Sequence, residues 1–226
     1  MIGEARRALP LRTATSRLVV VVRAASAADY EPVLDVLVDA GIRSLELTLT
    51  TPGTIERLGS LIERYGADAD VGVGTVVDRE QLSRTIDAGA HYIVTPITSA
   101  ELIEQSVTHG VPIIPGGLTP TELFASWSRG ASAVKVFPAS QVTPGYVKDL
   151  RGPFPGIQVV PSGGIDIDGA AEWLEAGAAA VSVGGPLLGD ALRGGDLRAL
   201  RARALRFVTA CSQAPRAHRS AVPTRP

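Results

Sequence analysis

The chain contains only two lysines, and one of them lies where a charged side chain is unexpected. Of the 22 basic residues, Lys135 and Lys148 are lysines and the rest are arginines. Lys135 lies in the apolar segment 133–138, AVKVFP, where burying an unpaired ammonium would be costly. A buried lysine avoids this cost by losing its proton or by pairing with a carboxylate, and the neutral amine is a nucleophile. The alternative is an edge strand from which Lys135 reaches solvent. This segment alone does not decide between them.

A carboxylate that could accompany this lysine lies in segment 44–49, SLELTL. Its leucines alternate with other residues, so the leucines share one face of a strand and Glu46 lies on the other. By the same alternation, Val134 and Val136 point outward and Lys135 inward. An inward carboxylate and an inward lysine are explained either as a structural ion pair or as a nucleophilic amine with an acid/base partner.

The chain alternates strand-like and helix-like segments that would position these side chains. Strands are predicted at 18–22, 44–49, 70–76, 91–95, 111–115, 133–137, 157–161 and 179–183. Helices are predicted at 31–40, 54–65, 79–88, 100–108, 121–128, 143–150, 167–176 and 191–211. Eight such units predict an α/β fold with a single closed (β/α)8 TIM barrel. A doubly wound sheet fits less well, because it would use fewer strands and a glycine-rich first turn, whereas residues 22–25 read VRAA.

The two ends of the chain differ from this pattern. Residues 1–17 are rich in arginine and alanine and lack the apolar centre of a secretory signal. We predict a short helix that caps one end of the barrel, with an organelle transit peptide as the alternative. Residues 213–226 combine prolines and basic residues without apolar periodicity, which predicts a disordered tail after a barrel domain at 1–212.

Composition argues against several classes of protein. The net charge is −1 with both signs scattered, and aromatic residues make up 4%, so nucleic-acid and membrane-surface binding are disfavoured. No apolar run approaches the roughly 20 residues that span a bilayer. The single cysteine, Cys211, and three widely separated histidines do not indicate an internal disulfide or a metal site. The expected location is the cytoplasm.

Two pairs of glycines follow predicted strands at the barrel end where such enzymes bind substrates. Gly163 and Gly164 follow the seventh strand, and Gly184 and Gly185 follow the eighth. The loops after strands seven and eight commonly bind phosphate through backbone N–H groups. Either pair alone could be a tight turn, but both at these strand ends indicate a phosphate site.

Further polar residues follow other strands. They are Arg23, Thr75 and Thr95. Arginine is well suited to holding a carboxylate or a phosphate. The alternative for Arg23 is an ordinary surface charge.

Seven short motifs occur in order along residues 18–207. They are LELTL at 45–49, GVGTV at 72–76, IVTP at 93–96, IPG at 114–116, KVFP at 135–138, PSGGI at 161–165 and VGG at 183–185. Together they resemble the class I pyruvate aldolases of the 2-keto-3-deoxy-6-phosphogluconate and 4-hydroxy-2-oxoglutarate aldolase family.

The resemblance implies a reaction and roles for individual residues. Lys135 would form the Schiff base, and Glu46 would be the general acid/base acting through water. The substrate-binding set implied by the resemblance is Arg23, Thr75, Pro96, Phe137, Ser162, Gly163, Gly164, Gly184 and Gly185. A phosphorylated 2-keto-3-deoxy sugar acid would be cleaved to pyruvate and glyceraldehyde 3-phosphate, with 4-hydroxy-2-oxoglutarate as a further candidate. The family also implies a homotrimer without metal or organic cofactor.

Two positions depart from the phosphogluconate branch of this family. Thr50 replaces an arginine that helps hold the substrate carboxylate, and Arg23 resembles the arginine that follows strand one in the galactonate branch. Pro186 replaces a serine that donates to phosphate, which leaves backbone groups to bind that group. Ser162 stands where phosphogluconate enzymes tend to have threonine, so the C4 stereochemistry of the substrate stays open.

Two alternatives of other classes remain. A phosphate-binding barrel such as an epimerase or a thiamin-phosphate-type synthase would need metal ligands or a pyrophosphate site, and KVFP around Lys135 disfavours both. A catalytically silent barrel that binds a sugar acid would keep the fold without turnover. A turnover measurement separates it from an aldolase.

Overall fold

The computed structural model describes residues 6–215. Its strands are β1 Leu18–Val22, β2 Ser44–Thr48, β3 Asp70–Gly74, β4 Ile93–Thr95, β5 Ile113–Gly117, β6 Val134–Val136, β7 Val159–Pro161 and β8 Val181–Val183. Its helices are α1 Leu11–Ser16, α2 Tyr30–Asp39, α3 Thr54–Tyr65, α4 Arg79–Asp87, α5 Ala100–Thr108, α6 Pro120–Ser128, α7 Gly145–Arg151, α8 Ile167–Glu175, α9 Gly185–Leu188 and α10 Leu197–Gln213.

The eight strands are parallel and lie in the order β7-β6-β5-β4-β3-β2-β1-β8. A parallel bridge between Ser162, which follows β7, and Ser182 of β8 joins the two edges of this sheet. Helices α2 to α8 each connect consecutive strands. The predicted α/β fold with a single (β/α)8 barrel is therefore confirmed.

Local sequence explains where several helices begin. Asp78, Ser99 and Thr119 precede α4, α5 and α6, and each side chain accepts a hydrogen bond from a backbone N–H in the first turn. At α6, Glu122 also bonds back to Thr119, which completes a capping box. The helices after strands three, four and five thus begin at residues that cap them.

Two apolar layers surround the strands. The larger lies between strands and helices and includes the outward-facing leucines of β2 and valines of β6, as predicted. The smaller lies inside the barrel: Val19, Tyr92, Val94, Ile114, Ala133, Val160 and Ala180, with Leu9 packed against them. The catalytic candidates therefore sit above a filled interior rather than over an open channel.

The amino-terminal helix caps the barrel, as predicted. Thr13 of α1 donates from its backbone N–H and from its hydroxyl to Asp70, the first residue of β3, at 2.7 and 2.8 Å. Its hydroxyl also lies 2.8 Å from that of Ser44, the first residue of β2. Helix α1 therefore covers the end where the strands begin.

Several predicted boundaries are wrong. The third, fourth, sixth, seventh and eighth strands are each two residues shorter than predicted, and two further differences have a local cause. The fifth strand is Ile113–Gly117 and not 111–115, because the N–H of Val111 still bonds to Ser106 of α5 and Gly116 and Gly117 pair with β6. The predicted last helix, 191–211, is two elements. A short 3-10 turn, Ala191–Arg193, is followed by Gly194 in the left-handed conformation, and α10 begins only at Leu197.

Helix α10 extends to Gln213, the first residue of the predicted tail, and 216–226 of that tail lie outside the described residues. Within residues 6–215, none of the helices combines the length and the apolar character needed to cross a membrane.

Candidate active site

Lys135 and Glu46 face each other inside the barrel. The Lys135 Nζ lies 4.0 Å from Glu46 Oε1, and the two side chains are 9% and 2% exposed. Because Lys135 is buried and close to a carboxylate, the alternative of an edge strand whose lysine reaches solvent is wrong. The separation exceeds a direct hydrogen bond, so proton transfer between the two groups would need an intervening hydroxyl group.

Glu46 occupies space that β3 leaves open. A Cβ atom on Gly74 would lie 2.0 Å from Glu46 Oε1 and 2.6 Å from its Cδ, so a side chain at this position is incompatible with the observed carboxylate. Among residues 6–215, the buried Oε2 atom of Glu46 has no hydrogen-bond partner. An unpaired buried acceptor is costly in a purely structural pair, whereas it suits a group that must exchange protons with a ligand.

The backbone of Pro96 packs against Gly116 of β5, which lies beside Lys135. Gly116 pairs with Lys135 in the β5–β6 register. A Cβ atom on Gly116 would lie 2.6 Å from the carbonyl carbon and oxygen of Pro96. The turn after β4 therefore packs closely against the strand beside Lys135. Thr95, by contrast, is buried and accepts a hydrogen bond from Ile97 N at 3.2 Å, so it supports its own turn.

Phe137 connects the lysine to the glycine loop after β7. The Lys135 Nζ lies 5.1 Å from the centre of the Phe137 ring, within the range of a cation–π contact. The ring is partly exposed, and a Cβ atom on Gly163 would lie 3.5 Å from it. Ser162, before this glycine, is buried, and its hydroxyl donates to that of Ser182 at 3.3 Å.

Arg23 follows β1 and binds two threonines on neighbouring strand ends. Its guanidinium donates to the hydroxyl of Thr50 and, at 3.4 Å, to that of Thr75. Thr75 has a φ of +64°, which is unusual for a β-branched residue and directs the chain sharply at the end of β3. No carboxylate among residues 6–215 forms an ion pair with Arg23, so its positive charge is held in place by neutral groups.

The glycine pairs lie at adjacent strand ends, as the barrel order requires. Gly163 and Gly164 have φ values of +100° and +77°, which favour glycine at both positions. Within the described chain, the backbone N–H groups of Gly163, Gly164 and Gly185 donate no hydrogen bond. Free N–H groups at the carboxyl ends of β7 and β8 are able to hold an anion. Gly184 lies next to β1, with its added Cβ 3.6 Å from Val21 O.

Sequence reasoning missed the part that three glycines and one threonine play in this site. Gly74 leaves space for Glu46, Gly72 for the ring of Tyr92 and Gly116 for the backbone of Pro96, although GVG was visible as a motif. The signal that could have found them is glycine at inward positions of strands next to Glu46 and Lys135. Thr50 was treated only as a missing arginine, and its partnership with Arg23 depends on a contact between two strand ends.

A cavity of about 260 Å³ lies at the opposite end of the barrel. It is lined by residues of α1, β1 and α10 and by the turn before β2, including Arg17 and Arg43. Those two arginines bond to backbone carbonyls of the helix ends nearby. The cavity contains none of the predicted site residues, so it is separate from the Lys135–Glu46 pair.

Comparison with known proteins supports a single family. The family model described as KDPG and KHG aldolase matches residues 11–202. A 2-dehydro-3-deoxy-6-phosphogalactonate aldolase of Escherichia coli (strain K12) is 35% identical over 67% of this chain and 74% of its own length.

Two solved structures are similar over most of the chain. One, titled "Native KDPGal structure", has a TM-score of 0.81 and 31% identity and covers 87% of this chain and 95% of its own. A KDPG aldolase from Legionella pneumophila, with pyruvate captured as a covalent carbinolamine intermediate, has a TM-score of 0.73 and 28% identity over 90% and 96% of the two chains. The buried lysine, its carboxylate partner and these matches together place the chain in the KDPG and KHG aldolase family.

Proposed function

We propose that the protein is a class I aldolase that cleaves a 2-keto-3-deoxy-6-phospho sugar acid to pyruvate and glyceraldehyde 3-phosphate. The observation that supports this most strongly is the buried Lys135–Glu46 pair, 4.0 Å apart at the substrate end of the barrel. A structural ion pair would satisfy both carboxylate oxygens, whereas Glu46 Oε2 has no partner among the described residues.

The reaction follows from an amine nucleophile and one proton carrier. The neutral amine of Lys135 attacks the C2 ketone, and loss of water from the carbinolamine gives an iminium ion that withdraws electrons. Glu46 removes the C4 hydroxyl proton through water, the C3–C4 bond breaks, and its electrons form the enamine while the aldehyde leaves. Protonation of C3 and hydrolysis of the iminium then release pyruvate and regenerate Lys135.

Substrate binding would divide between the two sides of the site. Arg23 would hold the substrate carboxylate, because the charge of its guanidinium is anchored by hydroxyls and not neutralised by an acid. Thr75 and Pro96 would line the pyruvoyl pocket. The phosphate would lie at the backbone N–H groups of Gly163, Gly164, Gly184 and Gly185, with Ser162 and Phe137 between it and the lysine.

Reductive trapping tests the mechanism directly. Incubation with pyruvate and borohydride is expected to add one reduced pyruvyl group at Lys135, located by intact mass and peptide mapping. Lys135→Met should abolish the adduct, whereas Lys148→Met removes the only other lysine of the chain and should leave it unchanged. A folded protein that yields no adduct would instead be the catalytically silent sugar-acid-binding barrel.

Arg23 is tested by separating binding from turnover. We expect Arg23→Gln to raise KM for the keto acid about tenfold or more and to change kcat much less, because a charge-assisted contact to a non-reacting group is lost. Arg79→Gln removes an exposed arginine paired with Glu101 and is the matched control. A normal KM in Arg23→Gln would assign the carboxylate to another group. A kinetic panel with both C4 epimers and 4-hydroxy-2-oxoglutarate identifies the preferred substrate.

We also propose that the enzyme acts in the cytoplasm as a homotrimer. The resemblance to its family supports the trimer, and the cytoplasm is the location expected from the sequence. Sedimentation velocity should give three chain masses, and a single chain mass at assay concentration would contradict the trimer.

A further inference from the structure

Four buried polar side chains form a hydrogen-bonded column inside the barrel, at the end opposite the proposed substrate site. Asp70 accepts from the Thr13 hydroxyl at 2.8 Å, that hydroxyl lies 2.8 Å from Ser44 Oγ, and Ser44 Oγ lies 2.9 Å from the Tyr92 hydroxyl. All four residues are at most 5% exposed. The column runs from helix α1 to Tyr92, the one titratable residue of the inner apolar layer.

Hydroxyl groups link each step of this column. The Thr13 hydroxyl is within donating distance of both Asp70 and Ser44, and either hydroxyl can be the donor between Ser44 and Tyr92. The column therefore holds the phenol at its hydroxyl end, at the amino-terminal end of the barrel. Burial and, secondarily, the charge of Glu46 raise the pKa of Tyr92 well above its ordinary value, so the phenol stays neutral.

The ring of Tyr92 and the carboxylate of Glu46 occupy consecutive gaps along one strand. A Cβ atom on Gly72 would lie 2.4 Å from Tyr92 Cζ, and one on Gly74 would lie 2.0 Å from Glu46 Oε1. Inward positions two residues apart on a strand are about 6.6 Å apart, close to the distance between packed layers of side chains. The phenol ring therefore forms the layer next to the carboxylate, on the side away from substrate.

We propose that Tyr92 is a positioning residue for Glu46: the hydrogen-bonded column fixes the phenol at its hydroxyl, and the ring holds the side chain of Glu46 in place for proton transfer. The inference rests on the proposed function, in which Glu46 moves the protons. It adds a role for the cap helix, because Thr13 of α1 anchors the column.

Proton transfer and imine formation are measured separately with one compound, pyruvate. Exchange of the pyruvate methyl protons in D2O, followed by NMR, requires a base at C3 of the iminium, whereas the fraction trapped by borohydride at equilibrium reports imine at Lys135. Tyr92→Phe keeps the ring and removes the link to Ser44. We expect exchange to slow about tenfold, with the trapped fraction unchanged.

A second variant and a control keep the test decisive. Ser44→Ala breaks the same link from the other side, so it should slow exchange similarly, and the double variant should be no slower than the slower single. Ser106→Ala removes a buried hydroxyl that bonds to Val111 O at 2.8 Å outside the barrel interior, and it should lower stability without slowing exchange.

Two results would overturn the inference. One is normal exchange in Tyr92→Phe and Ser44→Ala with stability lowered as in Ser106→Ala, which would make the column structural only. The other is slowing of proton exchange in the double variant by the product of the two single effects, which would show that Tyr92 and Ser44 act independently. Failure of the proposed function is distinguishable, because the wild-type protein itself would then form no adduct.

Discussion

The carboxylate of Glu46 depends on a residue that has no side chain. Gly74 lies on the neighbouring strand, and the space that its missing Cβ leaves contains Glu46 Oε1. The β2–β3 register pairs Glu46 with Gly72 and Thr48 with Gly74, so the carboxylate leans toward the substrate end of the barrel. The position of the carboxylate therefore depends on the absence of a side chain at Gly74 as much as on its pairing with Lys135.

We expect Gly74→Ala to lower kcat about 100-fold while the protein remains folded. The added methyl would lie 2.0 Å from Glu46 Oε1, so the carboxylate must move, and displacements of about 1 Å cost rates of this order. Steady-state kinetics and circular dichroism check the two parts of this prediction. Gly59→Ala is the control, because its Cβ meets no atom within 4 Å on the exposed face of α3. It should leave kcat unchanged and raise stability by about 0.5–1 kcal/mol. Equal kinetics in the two variants would contradict the argument.

Helix α10 is attached to the start of the barrel by one arginine. Arg17, the residue before β1, is buried and donates to the carbonyls of Cys211, Ala214 and Pro215. The last carbonyls of a helix have no partner within the helix, so these bonds complete the end of α10. The contact joins the residue before β1 to the last five residues of the described chain, 211–215.

Arg17→Ala is expected to lower the free energy of unfolding by about 3 kcal/mol, because buried carbonyls lose charged donors. Urea denaturation measures the change, and Arg198→Ala, which removes an almost fully exposed arginine, should change it little. Loss of less than about 0.5 kcal/mol in Arg17→Ala would show that α10 is held by its apolar face alone.

Cys211 provides an independent probe of the same contact. Burial raises the pKa of its thiol to about 11, so at pH 8 only about one thiol in a thousand is ionised and a disulfide reagent should label it slowly. Because the folded-state pKa is raised, this thiol also stabilises the fold below pH 9 and ceases to do so as pH rises through 11. Arg17→Ala should label faster. The charge of Arg17 lowers the pKa of the thiol, so its loss alone would reduce the ionised fraction and slow labelling. Faster labelling of Arg17→Ala would therefore show that the end of α10 has opened.

The parts of this structure that were predictable from sequence follow from local periodicity. Alternation in SLELTL and AVKVFP was sufficient to turn Glu46 and Lys135 inward, because a strand has a period of two whatever its partners are. The break between residues 193 and 197 was not recognised, because an apolar pattern continues across Gly194 and Gly195. A left-handed glycine is decided by backbone conformation, which hydrophobic periodicity does not report.

The contacts between strands were beyond prediction for a different reason. The Arg23–Thr50 bond and the column from Asp70 to Tyr92 depend on register and on barrel closure. A shift of one residue in any strand would move these groups to the other face. The motifs indicated that polar residues cluster at strand ends, and only the assembled barrel shows which of them touch.

The eight-stranded barrel is unevenly closed. Strands β1, β2 and β3 have five residues each and form continuous ladders, and β2 and β3 pair at five positions. Strands β7 and β8 have three residues each, and within residues 6–215 one bridge, Ser162 with Ser182, and one backbone bond at 2.8 Å, from Ala179 N to Val159 O, connect the two segments. The two serine hydroxyls add one side-chain bond across this seam, at 3.3 Å. The seam adjoins the loops proposed to bind phosphate, so local opening there would affect ligand binding.

We therefore expect amide hydrogen exchange to be at least about tenfold faster at the seam, residues 159–162 and 181–183, than in β2 and β3, since few hydrogen bonds must break to open it. Exchange followed by mass spectrometry measures this directly. Ser182→Ala removes the side-chain bond and should accelerate exchange at the seam alone. Ser106→Ala removes a buried serine of α5, away from the seam, and should accelerate amide exchange throughout the molecule or not at all. Equal protection of the seam and of β2 from amide exchange would contradict this prediction. It would show that the barrel opens only as one cooperative unit and not locally at the short β7–β8 contact.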